Sequence, residues 1–227
     1  MNAQEYCESV EQKHRLQKER ISTVPIRDDN SPLVSLKESG FDLLFEPSIK
    51  KGYKYLVRTA IFDKIGRISR LLRENDKVLI IRSVWRSFKH QRLLWERNIE
   101  ATRKTFPDKE PNEIEDMVAC FIASKKESMH STGGAVDALI YDLVNECVME
   151  FGTNDGHRIN LNQKCYPLHP DISTEAKKNR ELLMGLFENE GFVCDLTEYW
   201  HFDYGNVVWA LEKGKEYSIY DVVRHAR

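Results

Sequence analysis

The sequence has no pair of cysteines at the spacing of a zinc ribbon or a redox motif. Its five cysteines, Cys7, Cys120, Cys147, Cys165 and Cys194, are odd in number and scattered. That pattern argues against a disulfide framework and against a cysteine-rich structural zinc site. They read instead as reduced thiols. An apolar leader core is missing as well, because the stretch from Met1 to Arg20 is polar and charged, unlike a secretory signal. Together these absences make a cytoplasmic protein the expectation. No apolar run approaches the roughly 20 residues that span a bilayer. Excess charge of either sign is absent too. Lys and Arg number 34 against 36 Asp and Glu, a net charge of −2. Neither nucleic acid nor an anionic membrane is therefore an expected partner.

What is present is an ordinary globular composition, 41% apolar and 31% charged over 227 residues, enough for one well-filled core. Residues 1–20 read as a polar arm or helix, with Val10, Leu16 and Ile21 too sparse to anchor it firmly. Apolar residues at helical spacing predict a helix over Tyr55 to Arg73. Lys77 to Val84 reads as a strand. Ser87 is placed to cap a helix running to about Phe106, and Ile114 to Lys125 reads as another. Ala135 to Val144 reads as a strand leaving the Gly133-Gly134 turn. A helix begins at Ser173 or Thr174 and ends at Gly191, and one or two strands follow within Phe192 to Val208. These elements do not alternate as a wound parallel sheet requires. The expected fold class is α+β, a single domain with a small, mainly antiparallel sheet flanked by helices.

Two clusters carry chemistry. In Ser128-Met-His-Ser-Thr-Gly-Gly-Ala-Val-Asp137, Asp137 lies within a strand whose two faces are both largely apolar. A buried carboxylate there costs several kcal/mol, of order 5, unless a cation meets it. A metal ion is one such partner and a buried arginine is another, so the residues alone leave both open. In Glu198-Tyr-Trp-His-Phe-Asp-Tyr204, an imidazole and a carboxylate three residues apart suit one ligand and one acid-base group. A core histidine beside a surface glutamate is the plainer reading. Residues three apart point to opposite faces of a strand, so Glu198 must precede the regular strand or be re-aimed by a bulge. Two histidines and a carboxylate are a known set for a catalytic zinc with one position left for water. His90 reads as a helix-surface residue, while His157 and His169 lie in a long loop that either lines the cleft or does not.

The same residues resemble a known family. Ser128, His130, Gly133, Ala135 and Asp137 fit the Ser-x-His-x-x-Gly-x-Ala-x-Asp motif of the VanX-type D-alanyl-D-alanine dipeptidases, zinc peptidases of family M15. Glu198-Tyr-Trp-His201 is similar to that family's Glu-Trp-Trp-His motif, and Asn179 to Phe192 resembles the helix leading into it. Arg86 in Val84-Trp-Arg-Ser87 stands where the family has the arginine of a Tyr-Arg-Pro motif. The resemblance runs from about Ile21 to Leu211, which makes residues 21–227 the peptidase domain and implies a D,D-peptidase/hedgehog-like fold. It implies one Zn2+ per chain held by His130, Asp137 and His201, with Glu198 as catalytic base. It also implies that Arg86 stabilises charge on the scissile carbonyl oxygen. Ser128 is a candidate for the substrate carboxylate, and Asp155, in a stretch that only partly echoes the family, for the substrate amine. Trp85, Ser87 and Tyr199 depart from the motifs and bear on the substrate more than on the reaction. The expected partner is a small peptide, D-Ala-D-Ala or a related dipeptide. The alternatives are a D,D- or L,D-carboxypeptidase acting on peptidoglycan fragments and a non-catalytic zinc-binding interaction module.

Overall fold

The computed structural model describes residues 2–119, 128–153 and 164–225. A sheet in the strand order β2-β4-β5-β8-β7, with β6 paired to β5, forms the centre. Its strands are β2 (Leu43–Phe45), β4 (Lys77–Ser83), β5 (Ala135–Asp142), β6 (Cys147–Val148), β7 (Val193–Cys194) and β8 (His201–Asp203). Only the β2–β4 pairing is parallel; the others run antiparallel. A separate antiparallel ribbon joins β1 (Leu33–Ser35) to β3 (Leu56–Arg58). The fold is therefore α+β with a mainly antiparallel sheet, as the irregular order of elements led us to expect.

Helix α2 (Thr59–Arg73) buries Ile61, Ile65, Ile68 and Leu72, a spacing of four, three and four residues that makes one apolar face. That face packs on β4, which is buried from Val78 to Ser83. Helix α3 (Phe88–Thr105) begins at Ser87, whose side chain accepts from the His90 amide. It pairs with α4 (Pro111–Ala119). Helix α5 (Thr174–Asn189) is capped by Ser173. It ends where Gly191 takes φ +84° and donates to the Glu188 carbonyl, a left-handed turn that glycine adopts without steric cost.

Two segments differ from the sequence reading in their secondary structure, and the N-terminal helix differs in how it is anchored. Leu56 to Arg58 forms β3, not the first turn of a helix, because these residues pair with β1 before α2 starts. Val207 opens a helix, α6 (Val207–Glu212), in place of a strand end, and Asn206 caps it by accepting from the Trp209 amide. The N-terminal residues form α1 (Ala3–Ile21), started by a capping box between Asn2 and Glu5. Cys7 and Val10 of α1 join the main core, whereas Leu16 stays half exposed. Gln17 donates to Glu212 on α6 at 2.8 Å, so a polar contact supplements an apolar face of only a few residues.

Candidate active site

The three candidate ligands arrive from two strands and a turn. Asp137 on β5 and His201 on β8 are direct cross-strand partners, so their side chains share one face of the sheet. His201 Nδ1 lies 2.9 Å from Asp137 Oδ1. His130 sits in a 3-10 turn, Met129–Thr132, closed by Gly133 at φ +74°. A Cβ at Gly133 would lie 2.4 Å from Leu33 Cδ2, the end of a side chain that can turn aside, so it is the backbone angle that calls for glycine. His130 Nδ1 faces the Val84 carbonyl at 2.9 Å. A carbonyl only accepts, which puts the proton on Nδ1 and leaves the Nε2 lone pair free. That Nε2 stands 3.2 Å from Asp137 Oδ2.

One ligand atom from each of His130, Asp137 and His201 lies within 4.8 Å of the others, and all three residues are largely buried. The donor set, two imidazole nitrogens and one carboxylate oxygen, fits zinc in a site that keeps a fourth position open. Magnesium or calcium would call for more oxygen donors. The electrostatics are those of a tightly packed cluster. Burial alone would raise the Asp137 pKa, but His130, His201 and Arg86 outweigh it and hold the carboxyl well below its usual range. Burial, reinforced by Arg86, lowers His130 to about 4. For His201 burial pulls the same way, yet Asp203 and Asp137 prevail and raise it.

Arg86 is no solvated helix-start residue. Its Nη2 donates to Asp137 Oδ2 and its Nε to Ser83 Oγ, each at 2.6 Å. A bulge makes this possible: Ile81 pairs with Ala138 but Ser83 pairs with Asp137, so Arg82 is the extra residue on β4. Bulges beside sites commonly re-aim side chains in this way. Tyr53 completes the support, with its hydroxyl 3.4 Å from Ser83 Oγ and accepting from the Val84 amide at 2.7 Å.

Glu198 lies outside the regular strand, in the loop that leads to β8, which resolves the spacing problem. Its carbonyl accepts from the His201 amide at 3.1 Å. Asp195 shapes the loop, because its Oδ1 accepts from the Thr197 amide at 2.7 Å, the Thr197 hydroxyl at 2.8 Å and the Glu198 amide at 3.0 Å. Burial, with Asp137 and Asp195 adding to it, pushes the Glu198 carboxyl up to about 8 against the pull of His201 and Arg86. A carboxyl poised near neutrality is suited to accept and return a proton.

Ser128 is buried immediately before the 3-10 turn, where its carbonyl accepts from the Ser131 amide. Asp155 and His157 lie outside the described residues, as do Cys120 and the end of the helix read as running to Lys125. His90 is buried and not on the surface: it sits 3.2 Å from Ser48 Oγ and edge-on to Tyr53. His169 packs against Tyr6 of α1. Sequence reasoning passed over Ser83, Asp195 and Asp203. Asp203 lies two residues past His201 on the same strand, a period-two signal that was there to be read.

The profile of the D-Ala-D-Ala dipeptidase family, peptidase M15, matches residues 47–217, well over half of the chain. The chain belongs to this family. No curated protein sequence matches it significantly. Among solved structures, a mutant of the vancomycin resistance D,D-pentapeptidase VanY in complex with Zn(II) is 14% identical. It covers 84% of this chain and 90% of its own, at a TM-score of 0.48. VanYB in complex with D-Alanine-D-Alanine is 16% identical over 84% of this chain and 88% of its own, also at 0.48. The LdcB LD-carboxypeptidase is 17% identical over 82% and 76%, at 0.45. The M15 match spans Arg86, His130, Asp137, Glu198 and His201, the residues that the fold gathers at one end of β5.

Proposed function

We propose that this M15 peptidase is a zinc-dependent dipeptidase that hydrolyses D-Ala-D-Ala or a related small dipeptide. The observation that carries the reading is the convergence of His130 Nε2, His201 Nδ1 and the Asp137 carboxylate, with their ligand atoms within 4.8 Å of one another, beside Glu198 and Arg86. His130, Asp137 and His201 would hold the metal, which when bound supplies a Lewis acid that acidifies water and polarises a carbonyl. Glu198 takes the proton of the attacking water and returns it to the departing amine. Its raised pKa supports both halves of that exchange. Arg86 offers a guanidinium to the negative charge that grows on the scissile carbonyl oxygen. The description of the matching family supports the dipeptide as substrate.

The test is a zinc determination on purified protein combined with a panel of dipeptides of both stereochemistries and longer peptides ending in D-Ala-D-Ala. The expected result is about one zinc per chain and cleavage of the free dipeptide in preference to the longer peptides. Glu198→Ala keeps the metal and loses turnover. Preference for longer peptides would assign a carboxypeptidase instead. Metal-loaded protein inactive on the whole panel would favour a zinc-binding interaction module.

A further inference from the structure

His130 and His201 are held by different kinds of partner. The outer nitrogen of His130 faces a neutral backbone carbonyl, that of Val84. The outer nitrogen of His201, Nε2, faces a carboxylate oxygen, Asp203 Oδ1, at 3.3 Å. Asp203 is 1% exposed. Its Oδ1 also accepts from Asn206 Nδ2 at 2.5 Å. Asn206, itself fully buried, turns its other amide atom to the Trp209 amide at the start of α6 at 3.1 Å. A chain of contacts thus runs from the first turn of α6 through Asn206 and Asp203 to His201 and on to Asp137. Among the described residues, His201 is the one basic side chain within ion-pair distance of Asp203.

We propose that Asp203 is the positioning residue for the metal ligand His201, and that Asn206 fixes Asp203 from behind. With a metal bound, Asp203 would keep the proton of His201 on Nε2 and leave the Nδ1 lone pair to the ion. Its negative charge makes that imidazole the stronger donor of the two. Carboxylate partners of this kind fix ring orientation and raise ligand basicity. A merely structural acid would have little reason to be buried here, since desolvating a carboxylate is costly without a compensating partner. Strand periodicity explains the placement: residues two apart share a face, so the ligand and its partner are encoded by His-x-Asp on β8.

The inference rests on the proposed zinc site, and its test separates the two. Zinc affinity is measured by competition with a chelating indicator on wild type, Asp203→Asn and Asp203→Ala, alongside urea unfolding of each metal-free protein. The absorption spectrum of the Co(II)-loaded proteins supplies a further readout. Asp203→Asn keeps an oxygen acceptor and loses the charge, so zinc binding weakens by about 10–100-fold. The Co(II) bands shift as well, a change that a loss of fold stability alone does not produce. Asp203→Ala weakens zinc further; should it fail to fold, the near-isosteric Asn variant carries the test alone. Wild-type zinc affinity and an unchanged Co(II) spectrum in Asp203→Asn would overturn this inference and leave the proposed function standing. A wild type that binds no zinc would overturn both.

Discussion

Arg86 Nη2 donates to Asp137 Oδ2 at 2.6 Å, and the same oxygen stands 3.2 Å from His130 Nε2. The arginine thus reaches the centre of the candidate site while its Nε is tied to Ser83. Arg86→Ala is expected to lower turnover by about 100–1000-fold, the cost of one preorganised charge donor, with zinc content unchanged. Arg86→Lys restores the charge but not the planar fork that meets Ser83 and Asp137 together, so it rescues little. Steady-state kinetics with metal analysis check this; near-normal turnover in the Lys variant would contradict it.

Asp195 sets the loop that presents Glu198, through three hydrogen bonds to its Oδ1. Asp195→Ala frees that loop, and displacements of about 1 Å at a reacting group can cost on the order of 100-fold. The loss is expected in kcat, with KM and zinc content little changed. Asp195→Asn keeps an oxygen acceptor and is milder. Asp195 is also one of the carboxylates that push Glu198 upward. Removing its charge lowers that pKa, so the acid limb of the pH-rate profile moves to lower pH. A limb that moves up instead counts against Glu198 as the base.

Much of the site could be read from the sequence because its spacing is local. The three candidate ligands and Glu198 lie within two short segments, and the strand, turn and cap signals around them are strong. Gly133 illustrates this, since its left-handed φ is what a glycine after a 3-10 turn announces. The supporting contacts were harder because they join distant segments. Ser83 meets Arg86 through a bulge, and no periodicity marks the residue that will be extra. Leu56 to Arg58 stand at the head of a run with helical spacing, yet a remote strand, β1, claims their backbone. His90 is buried because Ser48 and Tyr53 fold over it, information that its own helix does not contain.

Arg180 ties α5 to the segments around Phe151, Tyr166 and Tyr199 and is fully buried. Its guanidinium donates to the carbonyls of Phe151 and Tyr166 at 2.8 Å and of Lys164 at 2.7 Å, and lies 3.9 Å from the ring centroid of Tyr199. Arg180→Met strands several buried carbonyl oxygens at once and removes a cation from an aromatic face. The expected loss is about 3 kcal/mol or more. In urea unfolding the midpoint falls with little change in slope. A midpoint within error of wild type would show that water replaces the guanidinium without penalty.

His90 provides a pH signature of the fold that is separate from catalysis. Burial, then the charges of Arg86, Lys50 and His130, drive its pKa from 6.5 down to about 3. The neutral ring is therefore favoured in the folded state. Above pH 6.5 the folded and unfolded states both hold it neutral, and its contribution is intact. As pH falls from about 6.5 toward 3, the unfolded chain takes up the proton first, and stability declines by an amount on the order of 4 kcal/mol. Below about 3 the loss from this group is complete. Because carboxylates titrate in part of the same window, the measurement is a difference: unfolding free energies of wild type and His90→Leu, metal-free, from pH 8 to pH 3. The Leu variant is expected to show a flatter decline between about pH 6.5 and 4.5, where histidine dominates. Among the described residues the His90 Nδ1 has no hydrogen-bond partner, so the apolar replacement loses little there at neutral pH. Parallel declines for the two proteins would mean that His90 gains its proton without opening the fold.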